Sequence, residues 1–374
     1  MNHENHYHYM KFFLNNELNA LYVSIVFRYL AFSMVGIFVP IYLFFELSYS
    51  LKYIALFFMV YSFIFLIVTL TTYKLIDLLS FKYIILISSP LYMTYFVLLD
   101  FLEFNKVLFF IAPLVLGLAD GIYWPSYHYE FCEISNSQKR GKQIGYIYNL
   151  SLLAGLVGPL MGGAILLLSG FPLLFILVLI LLIGSAIPMF FTTHKNKRAV
   201  IKFKDIFTRK RIGDMITFFG RGGVFAAEGI LWPIFIFILL NGYLKTGSLF
   251  TGISLITILF IFLISKLTDS YDKKKIIRFG TFFYVAAWII NLYVKNVLQL
   301  VMSFAFRNFA STTADLPLTA LTYDRAKKKA DYFVLREASL CIGRIVFLSL
   351  LLLFGTLESG FVLAAIFSLS PLFL

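Results

Sequence analysis

Charge is scarce in this sequence. Asp, Glu, Lys and Arg make up 14% of its 374 residues, and acids are the rarer kind, 19 against 32 bases. A soluble chain of this length needs far more polar surface, so a water-soluble globular domain is excluded. Cysteine is nearly absent too. Cys132 and Cys341 have no metal-ligand spacing and are expected to be unpaired thiols inside a membrane. No cleavable signal is visible in the first 20 residues, which are polar; His3, His6 and His8 there read as part of a tail in preference to a metal site. What the chain has in abundance is apolar side chains, at 60% of residues with 44 Phe and 23 Tyr and a mean hydropathy of +0.88. Its main solvent must be lipid.

A net charge of +13 in a soluble protein suggests nucleic acid. Here the bases sit in short connections between apolar runs, where membrane topology places them, and nucleic acid is not an expected partner. A bilayer span needs about 20 apolar residues. Twelve such segments are predicted, near 20–46, 51–72, 83–100, 107–128, 143–168, 171–192, 213–240, 247–266, 275–294, 297–320, 334–356 and 358–374. The basic connection 193–212 divides them into an N-terminal bundle (1–192) and a C-terminal bundle (213–374), each of six helices. With the N-terminus inside, the inner loops hold most of the Lys and Arg. The outer loops hold only Lys52, Lys106, Lys245 and Lys295. The expectation is a multi-pass protein of the cell (inner) membrane with both termini cytoplasmic, working as a monomer without a cofactor.

The two halves repeat. At an offset of 193, Arg28, Phe32, Gly36, Ile37, Pro40, Ile41 and Phe44 match Arg221, Phe225, Gly229, Ile230, Pro233, Ile234 and Phe237. The matches fall every three or four residues and form one helical stripe. At an offset of 192 the loop Lys74–Asp77 recurs as Lys266–Asp269, and Pro125 as Pro317. A repeat of six spans keeps both halves in one orientation. The predicted fold is therefore all-α, two six-helix bundles related by a pseudo-two-fold along the membrane normal, with a substrate site between them at mid-depth.

These features resemble the major facilitator superfamily over essentially the whole chain. Ser265-Lys-Leu-Thr-Asp269-Ser-Tyr-Asp-Lys273-Lys274-Lys275 is similar to that family's loop after spans two and eight, and Tyr73–Lys82 is a reduced copy. The resemblance implies that Asp77 and Asp269 latch the cytoplasmic side, with Arg140 and Arg325 as candidate partners. Gly145, Ala154, Gly158-Pro159 and Gly162-Gly163 in span five resemble the glycine-proline pattern of proton-coupled drug exporters. Small residues at those spacings let helices pack at backbone contact. Such exporters carry an arginine early in span four where this chain has Pro113; Arg307 stands at the comparable place in span ten.

Ionisable groups at membrane depth cost roughly 2.5–3.5 kcal/mol each and face the interior. Here they are Arg28, Asp120, Arg221, Glu228, Arg307, Asp315 and Arg344. Glu228 has no counterpart in span one, where Val35 stands, and is the type of group a proton carrier needs. Arg28, Arg221, Asp120 and Asp315 fall in one layer, which predicts the pairs Arg28–Asp120 and Arg221–Asp315, closing when the cavity faces out. Tyr123-Trp124-Pro125 reads as an interfacial aromatic belt ending span four. The leading expectation is secondary transport by alternating access, proton-coupled export of an amphipathic or hydrophobic small molecule. One alternative is an anion or organic-phosphate transporter clamping its substrate between Arg28 and Arg221. Another, of a different class, is a lipid-handling membrane enzyme working at Asp269–Asp272.

Overall fold

The computed structural model describes residues 17–79, 81–134, 140–191, 206–326 and 330–374; His3, His6 and His8 lie outside them. Among the described residues twelve helical spans follow one another. α1 runs over Glu17–Val35 and on through Phe38–Ile41 and Tyr42–Glu46; α2 is Leu51–Leu78, α3 Phe81–Asp100 and α4 Leu108–Ile134. α5 and α6 share the stretch Arg140–Ala186 and part at Gly170, where φ is 74°. α7 joins Ile212–Ala226, Ala227–Leu231 and Trp232–Leu240. α8 is Tyr243–Ser270, α9 Lys273–Ile290, α10 Val297–Ala326, α11 Ala330–Phe354 and α12 Leu357–Phe367.

Nine of the described segments are long and apolar enough to cross a membrane by composition alone. α5 and α6 count among these as one stretch, α12 is short, and α10 carries Arg307, Asn308, Thr312, Thr313 and Asp315. That polar load on α10 is tolerable because it faces other helices and not lipid. Lipid takes the opposite surfaces, where Leu168, Leu259, Phe282 and Leu353 stand well exposed.

The repeat seen in the sequence is a repeat of packing. In the first half α1 lies on α5, and α4 on α2 and α3; in the second α7 lies on α11, and α10 on α8 and α9. The halves meet along two seams, α5 with α8 and α2 with α11, which a two-fold axis exchanges. Local irregularities obey the same symmetry. Pro40 and Pro233 cannot donate to the carbonyls four residues back, at Gly36 and Gly229, and both helices depart from α geometry around those glycines. Ser48 and Asn241, an offset of 193 apart, both adopt positive φ to turn the chain into α2 and α8.

One correction concerns α4. It does not end at Tyr123-Trp124-Pro125 but continues to Ile134, so these aromatic residues are interior and not an interfacial belt. Pro125 leaves the Gly121 carbonyl without its helical donor. Thr72 of α2 fills that role, its Oγ1 donating to the Gly121 oxygen at 2.8 Å. A neighbouring hydroxyl of this kind is what allows proline inside a membrane helix.

The span-five pattern fixes the seams. Gly158 and Gly162 press against Ser33 and Met34 of α1, while Gly163 and Pro159 meet α8 at Tyr243 and Gly247. A Cβ on Gly162 would stand 2.0 Å from the Met34 carbonyl oxygen. Gly162→Ala should therefore destabilise the fold by about 1–3 kcal/mol through overpacking. Gly252, also helical, has nothing within 4 Å of an added Cβ, so Gly252→Ala should be neutral or stabilising. Thermal unfolding of the purified variants checks both; equal melting shifts would contradict the backbone-contact seam.

Candidate functional site

Lys273–Lys275, Arg209–Arg211 and Arg325 gather at one end of the bundle, here termed the basic face. Toward the opposite face the halves are tightly joined. Tyr243 Oη donates to Glu46, Phe45 packs on Phe237 with centroids 4.6 Å apart, and Thr251 Oγ1 donates to the Leu156 carbonyl at 2.7 Å. Nearer the basic face the helices separate around a cavity of about 570 Å³. Aromatic side chains from both halves wall it, among them Tyr29, Trp124, Tyr127, Phe225 and Phe333. Arg221, Asp315, Arg336, Glu337, Arg344 and His128 supply its charge and polarity.

The second-half charges form one cluster. Arg221 Nη2 donates to Asp315 Oδ2 at 2.5 Å, and its guanidinium lies over the Phe225 and Tyr284 rings, 4.7 and 5.4 Å from their centroids. Glu228 accepts from Tyr284 Oη and from Arg307 Nη1, the latter at 3.2 Å. Arg307, buried, stacks over Trp232 at 4.3 Å and Trp288 at 5.2 Å. Aromatic faces of this kind lower the cost of a desolvated cation.

The first half is arranged differently. Arg28, only 2% exposed, donates to Ser89 Oγ at 2.8 Å and Ser88 Oγ at 3.4 Å. It lies over Tyr123 at 4.1 Å and Tyr92 at 5.1 Å. Asp120 instead accepts from Tyr61 Oη at 2.6 Å, from Trp124 Nε1 at 3.0 Å and from Tyr92 Oη. Arg28 and Asp120, expected as a pair, are therefore not in direct contact and have only Tyr92 in common. The reason is register. At the 192 offset Asp315 corresponds to Tyr123, not to Asp120, and Tyr284 to Tyr92. Each arginine keeps its tyrosine cradle, but only the second half puts a carboxylate at that position of the facing helix.

The expectation that the Arg221–Asp315 pair closes the cavity needs a second correction. Arg221 and Asp315 belong to the same half, so their pair lies beside the cavity and does not tie the two halves together. Arg325 pairs with Asp214 of α7; the side chains of Asp77, Asp269 and Arg140, the expected latch, lie outside the described residues. Asp272 caps α9, accepting from the Lys274 amide at 2.8 Å.

Among the described residues, a tie between the halves near the basic face is made by His128. Its Nδ1 lies 2.9 Å from Tyr323 Oη and its Nε2 3.1 Å from Arg336 Nη1. The ring stacks on Phe333 at 5.5 Å and on Trp124 at 5.9 Å. Arg336 can only donate, so Nε2 accepts and the proton sits on Nδ1. Arg336 is in turn paired with Glu337. Neither residue drew notice in the sequence, because α11 shows no repeat partner for them.

The family model of the Major Facilitator Superfamily matches residues 21–244, and the chain belongs to that superfamily. A Bacillus subtilis (strain 168) relative, uncharacterized protein YqgE, is 27% identical over 251 residues, 62% of this chain and 58% of its own length. Among solved structures, nucleoside transporter NupG aligns over 96% of this chain and 98% of its own at 14% identity, TM-score 0.66. The human organic anion transporter MFSD10 covers 96% and 99% at 12% identity, TM-score 0.68. The E. coli fucose:proton symporter FucP covers 96% and 98% at 12% identity, TM-score 0.65. These likenesses establish a membrane transporter fold.

Contact geometry separates the charges of the two halves experimentally. Asp315→Asn should destabilise the protein by on the order of 2 kcal/mol, less than the 3–5 of a fully buried pair because Asp315 is partly exposed. Combining it with Arg221→Gln should recover part of that loss. Arg28→Gln and Asp120→Asn, linked only through Tyr92, should couple much more weakly. Double-mutant cycles read from thermal melts give the answer; coupling in the first pair no larger than in the second would contradict the geometry.

Proposed function

We propose that this chain is a proton-coupled secondary transporter that exports an amphipathic small molecule by alternating access. The observation carrying this reading is the cavity between the halves, walled by aromatic side chains, holding a carboxylate–guanidinium pair, and joined tightly only toward the opposite face. The basic face is cytoplasmic in this reading, following the positive-inside bias, so the conformation is the one that loads from inside. Asp315 is the proton site. Unlike Glu228 and Asp120 it lines the cavity, and its neutralisation would release Arg221. Glu228, on the same tyrosine cradle, passes charge changes on to Arg307. A two-arginine clamp is less favoured, since Arg221 is paired and Arg28 is held among serines and rings away from the cavity lining.

Two measurements test the proposal. Cysteines at Lys210 and Lys245, both exposed, should label from the cytoplasm and from outside respectively; reversed labelling overturns the orientation. In everted membrane vesicles a proton gradient should drive uptake of an amphipathic fluorescent dye, and a protonophore should abolish it. Asp315→Asn should lose gradient-driven uptake while keeping dye exchange. Uptake indifferent to both the protonophore and the variant would remove proton coupling.

A further inference from the structure

Between the two faces the described helices carry five arginines, Arg28, Arg221, Arg307, Arg336 and Arg344, against four carboxylates, Asp120, Glu228, Asp315 and Glu337. Three arginines are matched directly: Arg221 by Asp315, Arg307 by Glu228 and Arg336 by Glu337. Arg28 is enclosed by serine hydroxyls and tyrosine faces and does not line the cavity. Arg344 is different. It lines the cavity, and among the described residues no carboxylate lies within ion-pair distance of it. Its hydrogen bond is a long one, Nη1 donating to Tyr61 Oη at 3.4 Å. Its other neighbours are the rings of Phe65 at 5.3 Å and Phe225 at 6.0 Å. Tyr61 in turn donates to Asp120, which already has three donors, and Glu337, two turns back on α11, acts on Arg344 only from beyond contact and is itself paired with Arg336.

Depth adds to the case. Arg344 stands 14 residues from Ala330 and 10 from Phe354 in α11, about 21 and 15 Å at the helical rise of about 1.5 Å per residue. That places it close to mid-membrane, where a guanidinium without a counter-charge is most costly. A cation at mid-depth, on the wall of a cavity between the halves and beside the α2–α11 seam, has the features of a charge awaiting a partner. Trp124, Tyr29 and Phe225 line the same space and suit a flat apolar body.

We infer that the substrate is an organic monoanion with a planar apolar body, its acidic group bound by Arg344. This rests on the transport reading of the cavity and names the ligand class. Bound there, the anion would balance the odd arginine and bridge α11 to the first half through Tyr61. Arg344 is thus the specificity-determining cation, and neither Arg28 nor Arg221 is.

Three near-isosteric probes decide this: 2-naphthoate, 2-naphthamide and 2-naphthylmethylammonium, titrated against purified protein in nanodiscs by quenching of tryptophan fluorescence, Trp124 lying in the cavity wall. The anion should bind at least about tenfold more tightly than the amide, and the ammonium more weakly still. Arg344→Gln should erase the anion's advantage, Arg344→Lys should keep part of it, and Lys245→Gln, which removes a cation outside the cavity lining, should leave it in place. Equal affinities for the three probes, an anion preference that survives Arg344→Gln, or no binding of any probe would each overturn the inference. A folded Arg344→Gln protein, verified by its melting curve, still binding the amide shows that the cavity is intact. Failure of the transport reading shows elsewhere, as cysteines at Phe45 and Tyr323 that never exchange accessibility between the two faces.

Discussion

A guanidinium inside a bilayer has to be matched, because lipid offers it neither water nor counter-ion. Among the described residues Arg28, Arg221, Arg307 and Arg344 are the four such groups deepest in the helices, and each is resolved differently. Arg28 takes serine hydroxyls and the faces of two tyrosines. Arg221 takes a carboxylate and two rings, and Arg307 a carboxylate with an indole cage. Arg344 has only a phenol and two ring neighbours. Satisfying the first three requires particular helices to be adjacent, α1 with α3 and α4, and α7 with α9 and α10. Much of the internal order of each bundle follows from these demands.

The repeat is symmetric in backbone and asymmetric in chemistry. Proline and glycine at matched positions bend α1 and α7 alike, and matched tyrosines cradle the matched arginines. The substitution of Tyr123 in one half for Asp315 in the other changes what those arginines do. The first becomes a structural anchor enclosed by aromatic groups. The second stays in an ionic pair beside the cavity, where a proton can alter it. A duplicated scaffold so supports one half specialised for structure and one for charge movement.

The seams between the halves differ in the same spirit. Toward the opposite face the contact is backbone on backbone, through Gly163, Gly247 and Pro159, with aromatic packing around it. Toward the basic face it rests on side chains, chiefly His128 with Tyr323 and Arg336. Side-chain contacts of this kind can be exchanged without displacing a helix axis, whereas a glycine seam opens only when whole helices part.

Much of this was legible in the residues. Apolar runs of bilayer length, basic connections on alternate sides and a stripe of identities at one offset determined a twelve-span, two-bundle membrane protein, because lipid imposes those features on any chain that crosses it. The span-five glycines likewise declared a close helix contact before its partners were known. Side-chain partnership was not legible in the same way. Asp120 and Asp315 sit at similar depth, yet three residues along a helix rotate a side chain by most of a turn, so only one of them meets its arginine. Trp124 reads as an interfacial residue until Thr72 of another helix lets α4 run on past Pro125. His128, Arg336 and Glu337 come together from segments about 200 residues apart, and Arg344 is left over only when every other charge has been matched. Depth and periodicity belong to single helices and are written in local sequence. Which charges find partners depends on how helices from both halves rotate against one another, and that is decided by the packed structure alone.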